Sequence, residues 1–153
     1  MDNWYGGKGL DSEGRVILDT NVFVAAGFNR RSRSAQLVER VRTHQLQMVW
    51  HQLTRKETQF IVGKIPPLSW EAIADLFEPA GEYAGELILD AYDYISDSED
   101  RKFAALCHAT QTPLITMDRG LLAARDVDSL PILSPHEFFQ ASTKQGLSQD
   151  QKT

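Results

Sequence analysis

The sequence predicts an α/β fold, a three-layer α/β/α sandwich with a central parallel sheet. Three observations carry that prediction. Four short aliphatic runs, at 15–19, 47–50, 113–116 and 130–133, have the continuous hydrophobicity of strands covered on both faces. Segments of helical periodicity separate them, as the crossovers of a parallel sheet require. Two of the runs end at or just before an aspartate, Asp19 and Asp118, where α/β sheets collect their chemistry.

The elements follow in order. Residues 1–14 hold Gly6, Gly7, Gly9 and Gly14 with little periodicity and read as a flexible leader. Arg15 to Asp19 is the first strand, and Val22 to Ala26 a short helix after it. Gly27 to Arg33 is a basic loop, and Ser34 the expected N-cap of a helix reaching about His44. Gln47 to Trp50 gives a second strand and Gln52 to Val62 a helix, stopped by Gly63 and Pro66-Pro67. Trp70, Ile73, Leu76 and Phe77 predict the inward face of a helix over Ser69 to Glu78. The stretch from Gly81 to Ser98 carries no decisive pattern. Asp100 to Thr110 reads as a helix with Phe103, Leu106 and Cys107 inward, followed by the strand at 113–116. A helical turn at Leu121 to Ala124, the strand at 130–133 and a helix from Pro135 to Gln140 complete the domain. Residues 15–140 form one domain, and 141–153 a polar tail expected to fray.

The chain has 153 residues and a net charge of −5, and its composition excludes wholesale disorder. No apolar stretch is long enough to span a bilayer, and no secretory signal is recognisable, so no membrane partner and a cytoplasmic location are expected. A lone cysteine, Cys107, excludes an internal disulfide and a cysteine-rich zinc site. His51, His108 and His136 lack metal-ligand spacing and read as structural or surface residues.

The charge is unevenly spread. Residues 1–64 carry 10 basic and 6 acidic side chains, and residues 65–153 carry 6 basic and 15 acidic. Arg30, Arg31, Arg33, Arg40 and Arg42 form a basic run suited to phosphates, although a solvated face is the commoner account of such a run. From Glu71 to Asp100 there are ten carboxylates and no Lys or Arg.

Asp19 and Asp118 each fit a helix N-cap, and so does Asp100 beside Asp97 and Glu99. Glu57, flanked by Arg55 and Lys56, fits an exposed ion pair. Yet the predicted topology brings all four to one edge of one sheet. Carboxylates gathered there would repel one another and gain protons unless hard divalent cations neutralised them, and Mg²⁺ or Mn²⁺ takes oxygen ligands of this kind.

The same residues resemble the PIN-domain family of metal-dependent ribonucleases, which includes toxins of bacterial toxin–antitoxin pairs. The resemblance runs from about Arg15 to Phe139 through Val16-Ile-Leu-Asp-Thr-Asn-Val22, His51-Gln-Leu-Thr-Arg-Lys-Glu57, Ser96 to Leu106, Leu114-Ile-Thr-Met-Asp-Arg-Gly-Leu-Leu122 and Ile132 to Phe139. It implies Asp19, Glu57, Asp100 and Asp118 as catalytic acids. Asp19, Asp100 and Asp118 would hold one or two Mg²⁺ or Mn²⁺ ions, with Asp97 as an outer ligand. Asn21 and Thr116 match positions that orient the acids, and Arg30, Arg31 and Arg33 would grip RNA. Two residues after the fourth acid, where the family often has a further acid, stands Gly120.

The activity so implied is endoribonucleolytic hydrolysis of RNA phosphodiesters by a metal-activated water, leaving a 5′-phosphate and a 3′-hydroxyl. The expected partners are RNA, an antitoxin protein if the chain is a toxin, and a second copy in a homodimer. One alternative is a catalytically weak PIN-like module that binds RNA or protein in a regulatory role. A haloacid-dehalogenase-like phosphatase would want an acid where Asn21 stands, and a receiver domain an acid pair closing the first strand.

Overall fold

The computed structural model describes residues 14–142. The expected leader, apart from Gly14, and the tail beyond residue 142 lie outside the described residues.

Strand β1 (Arg15–Leu18) is followed by helices α1 (Thr20–Phe28) and α2 (Arg33–Arg42), then β2 (Gln47–Met48) and α3 (Gln52–Gly63). Short 3₁₀ turns fill the stretch to Asp100. Helix α4 (Arg101–Thr110), β3 (Leu114–Ile115), α5 (Arg119–Asp128), β4 (Ile132–Leu133) and a closing helix, α6, over 135–142 complete the order. All strands are parallel in the order β2-β1-β3-β4. Chain direction across the sheet therefore reverses at β1, and the crevice between the carboxyl ends of β1 and β3 is the topological switch point.

Alternation along the strands separates two cores. Val16, Leu18, Met48, Trp50, Ile115 and Leu133 face one layer, where they pack with Val22 and Phe23 of α1, Leu37, Val38 and Val41 of α2, Val62 of α3 and Phe138 of α6. Ile17, Val49, Leu114 and Ile132 face the other, against Phe103 to Cys107 of α4 and Leu121 and Ala124 of α5. The three-layer sandwich follows from these two faces. Cys107 is fully buried, and burial pushes its thiol up, leaving it as core.

Several local expectations change. Ser32, not Ser34, caps α2, its Oγ accepting from the Ala35 amide at 3.0 Å. Ser34 is instead buried against Met117, 3.9 Å from its sulfur. The predicted helix over 69–78 is two 3₁₀ turns, Trp70–Ala72 and Ala74–Leu76. Its apolar residues at 70, 73 and 76 recur every three residues, the 3₁₀ period, and Ile73, at φ −125° and ψ −4°, leaves the helical region and interrupts the run. The obscure stretch after it lies along the edge of β2. The Trp50 amide donates to the Gly81 carbonyl and the Tyr83 amide to the Trp50 carbonyl, covering an otherwise open strand edge. Helix α5 runs to Asp128, well past the single turn expected, and α6 continues past Gln140.

Phe77, Phe138 and Phe139 are buried, and Trp70 packs on the same cluster. Among the described residues no helix is long and apolar enough to cross a membrane.

Candidate active site

Asp19 stands one residue beyond β1, where the register pairing Ile17 with Leu114 and Leu18 with Ile115 has just ended. Its amide still donates to the Ile115 carbonyl, which brings Asp19 opposite Thr116. At only 5% exposure its carboxylate needs partners, and it has two. Oδ1 accepts from the Thr20 amide at 2.7 Å, and Oδ2 accepts from the Thr116 hydroxyl at 2.7 Å. Thr116 Oγ1 in turn accepts from the Asp118 amide at 2.9 Å, while Asp118 Oδ2 accepts from the Leu121 amide at the start of α5. The two strand-terminal acids are thus coupled through one buried hydroxyl. Asn21 braces the same loop, its Oδ1 accepting from the Met117 amide at 3.3 Å. Thr116 thus contacts both acids, and Asn21 the residue between Thr116 and Asp118.

Asp100 arrives differently. It ends the turn Ser98–Asp100 and precedes α4, yet its side chain makes no capping bond. The capping role belongs to Asp97, whose Oδ1 accepts from the Glu99 amide. Asp97 does not line the cleft described below, and it adds only its negative charge near Asp100.

Glu57 comes from the middle of α3, whose start is fixed by His51. The Leu53 amide donates to His51 Nδ1, so Nε2 carries the proton and donates to the Gly85 carbonyl. This accounts for His51 structurally, and His108, 2.6 Å from the Tyr92 hydroxyl through Nδ1, is accounted for likewise. Further along α3 the buried Thr58 hydroxyl meets that of Thr20 at 2.9 Å, joining α3 to the start of α1.

These elements bring Asp19, Glu57, Asp100 and Asp118 to a single cleft of about 250 Å³, walled by Thr20, Asn21, Val24 and Ile61. Burial foremost, then repulsion from Asp118 and Asp19, pushes Asp100 up to about 7. Burial pushes Asp19 up to about 6 against the lowering effect of Thr116 and Thr20, and the charges of Asp118 and Glu57 add to the rise. Glu57 is raised by burial and held back by Lys102.

Lys102, not the sequence neighbours Arg55 and Lys56, is the cation beside Glu57. Its Nζ lies 3.5 Å from Glu57 Oε1 and 2.6 Å from Glu99 Oε1. Arg55 turns away to lie over Trp70. The sequence reading missed Lys102, although this lysine lies two residues after Asp100 and three after Glu99, a usable signal.

The arginines divide. Arg33 and Arg40 lie over the Phe139 ring, 5.5 and 4.7 Å from its centre. Arg42 donates to the Ala72 carbonyl and stands 4.0 Å from Glu39 and Asp75. Arg30 and Arg31, in the α1–α2 loop, are exposed and form no ion pair among the described residues. None of the five lines the acidic cleft, but Ser34, next to Arg33, touches Met117, the residue before Asp118. The start of α2 therefore lies on the same side of the sheet as the acids.

Among the described residues no three His, Cys, Asp or Glu side chains are already closed around a common point as a metal site. The acids share a cleft without forming a finished ligand shell. Their chemistry still fits a hard divalent cation: three carboxylates have no ion-paired Lys or Arg among the described residues, and two of these are held above the usual range by burial first, with the like charge of their neighbours adding to it.

Neither the curated proteins nor the solved structures yield a match to the chain. The family model for the PIN domain matches residues 15–120, from the first residue of β1 to just past Asp118. PIN domains are typically nucleases that use divalent metals. With that match spanning most of the chain and every acid of the cleft inside it, the protein belongs to the PIN-domain family.

Proposed function

We propose that the protein is a Mg²⁺- or Mn²⁺-dependent endoribonuclease. The observation that carries this reading is the convergence of Asp19, Glu57, Asp100 and Asp118 on one cleft at the switch point of the sheet. Asp19, Asp100 and Asp118 would hold the cation, with Glu57 on the adjoining wall. Bound there, a divalent cation lowers the pKa of a coordinated water and offsets the charge developing on a phosphodiester.

The chain's own residues set the stage for that chemistry. Thr116 and the Thr20 amide fix the Asp19 carboxylate, and the Leu121 amide fixes one oxygen of Asp118. Asp100 makes no capping bond, and its side chain meets that of Asp118. Arg30, Arg31 and Arg33, on the loop and first residue of α2, would engage RNA phosphates, giving binding that weakens steeply with salt. The products expected are a 5′-phosphate and a 3′-hydroxyl.

The reading extends to a role as the toxin of a toxin–antitoxin pair, whose antitoxin would restrain the cleavage. A small reading frame with a basic tail beside this one, and a stable complex of the two products, is the expected finding.

Labelled RNA incubated with the full chain tests the activity. Internal cuts with Mn²⁺ or Mg²⁺ that vanish in EDTA are expected. RNA that binds but remains intact under every divalent cation would overturn the enzyme and favour a binding module.

A further inference from the structure

We propose that Lys102 is a fixed cation of this site, neutralising its Glu57 side so that the cleft takes up one divalent ion rather than two. The inference rests on reading the cleft as a metal site, and it concerns how this chain apportions charge within it.

Lys102 is the second residue of α4, a helix anchored by the buried Phe103 to Cys107. Lysine side chains ordinarily run their stems along a surface and leave the ammonium in water. Here the side chain is only 14% exposed, and Nζ sits between carboxylates from two separate elements. Glu99, from the turn before α4, holds it at 2.6 Å, and Glu57, from α3, stands 3.5 Å away. Glu99 alone would make an ordinary three-residue-spaced pair on a helix surface, of little consequence. Glu57 changes that, because its side chain is 19% exposed and lines the cleft with the three aspartates.

The four acids are therefore unequal. Asp19, Asp100 and Asp118 have no Lys or Arg within ion-pair distance among the described residues, whereas Glu57 has Lys102. A pair of divalent ions roughly 3.5–4 Å apart brings four positive charges into one small space and relies on carboxylates to offset them. Three uncompensated aspartates suffice for one such ion. The fourth acid shares with Glu99 an ammonium that no chelator can remove, and Glu99, 60% exposed, has its charge screened by water. No further carboxylate comes from the α5 side either. Gly120 stands there, and a side chain at that position would begin 3.0 Å from Asp118 Oδ2, crowding the oxygen that caps α5.

Calorimetric titration of the full chain with Mn²⁺ tests this directly, since it reads ions bound without reference to cleavage. Wild type should bind about one ion per chain. Lys102→Met should bind about two, the freed Glu57 supplying the missing ligand, and Lys102→Arg should return to one because it restores the charge. Glu57→Gln should leave the affinity for the first ion within about threefold, whereas Asp100→Asn should lower it tenfold or more. This second comparison holds even if Lys102→Met does not fold.

Two ions in wild type, one ion in folded Lys102→Met, or a tenfold loss of first-ion affinity in Glu57→Gln would each overturn the role of Lys102 while leaving the metal site standing. No Mn²⁺ bound by wild type would remove the metal site itself, and this inference with it.

Discussion

The Thr116 hydroxyl donates to Asp19 Oδ2 at 2.7 Å across 97 residues of sequence, and Thr116 Oγ1 itself accepts from the Asp118 amide. One fully buried hydroxyl thus sets the spacing of the two acids that end β1 and β3. Thr116→Val removes both bonds without changing shape much. It should cost about 1–3 kcal/mol, because it leaves a buried carboxylate oxygen and an amide without their partner. Thr116→Ser should recover most of that loss. Urea denaturation of the two variants checks it, and equal stability would show that the hydroxyl holds nothing.

The raised acids make a prediction about pH. Asp19 titrates near 6 and Asp100 near 7 in the fold, against about 3.8 for a free aspartate, chiefly through burial. Between roughly pH 4 and 7 the folded chain thus keeps protons that the unfolded chain has released, so stability falls as pH rises through that window. Glu137 acts oppositely, since Arg125 holds it below the ordinary range, and its contribution is lost only in more acidic solution. In EDTA the urea midpoint should be higher at pH 5 than at pH 8, and Mn²⁺ should narrow or reverse the difference. A midpoint in EDTA that climbs steadily from pH 5 to 8 would contradict the clustering.

Asp100→Asn separates metal binding from folding. Asp100 makes no capping bond, and its charge is repelled by Asp118 and Asp19. Without divalent ions at pH 8 the variant should be as stable as wild type or more so, by up to about 2 kcal/mol. Stabilisation by added Mn²⁺ should be lost. Thermal melts with and without Mn²⁺ distinguish these outcomes, and a clear drop in stability without metal would count against mutual repulsion.

Gly81 lies against the sheet edge, its carbonyl accepting from the Trp50 amide. A Cβ there would stand 1.9 Å from the Met48 carbonyl oxygen, a backbone atom that can yield only by moving β2. Gly81→Ala should cost about 1–3 kcal/mol or more. Gly63, at the end of α3 with nothing near its missing Cβ, is the control, and Gly63→Ala should be neutral or stabilising by up to about 1 kcal/mol. Similar melting temperatures for the two variants would refute the close approach.

Much of the fold was legible because its signals are local. Val16, Ile17 and Leu18 alternate between two buried faces and so read as one apolar run, and Asp19 and Asp118 stand where such runs stop. The three aspartates and Glu57 followed from topology. What was illegible depended on tertiary partners. Ser32 and Ser34 are chemically alike as caps, and only the contact of Ser34 with Met117 assigns them different tasks. The turns over 70–76 share their spacing with a helix face. Arg55 and Lys56 adjoin Glu57 in sequence, but they occupy other positions on α3, and its cation comes from α4. Arg33 and Arg40 carry the charge expected of a phosphate-binding run, yet both lie over Phe139, a contact with a residue a hundred positions away.

The central claim is that Asp19 and its neighbours form one metal-dependent catalytic centre. Its most direct test is the rate of Mn²⁺-dependent RNA cleavage by Asp19→Asn, measured beside wild type on protein shown by its melting curve to be folded. A loss of at least about a hundredfold is predicted, because the variant keeps the shape of the cleft and removes the charge at its centre. Folded Asp19→Asn that cuts RNA as fast as wild type would contradict the account.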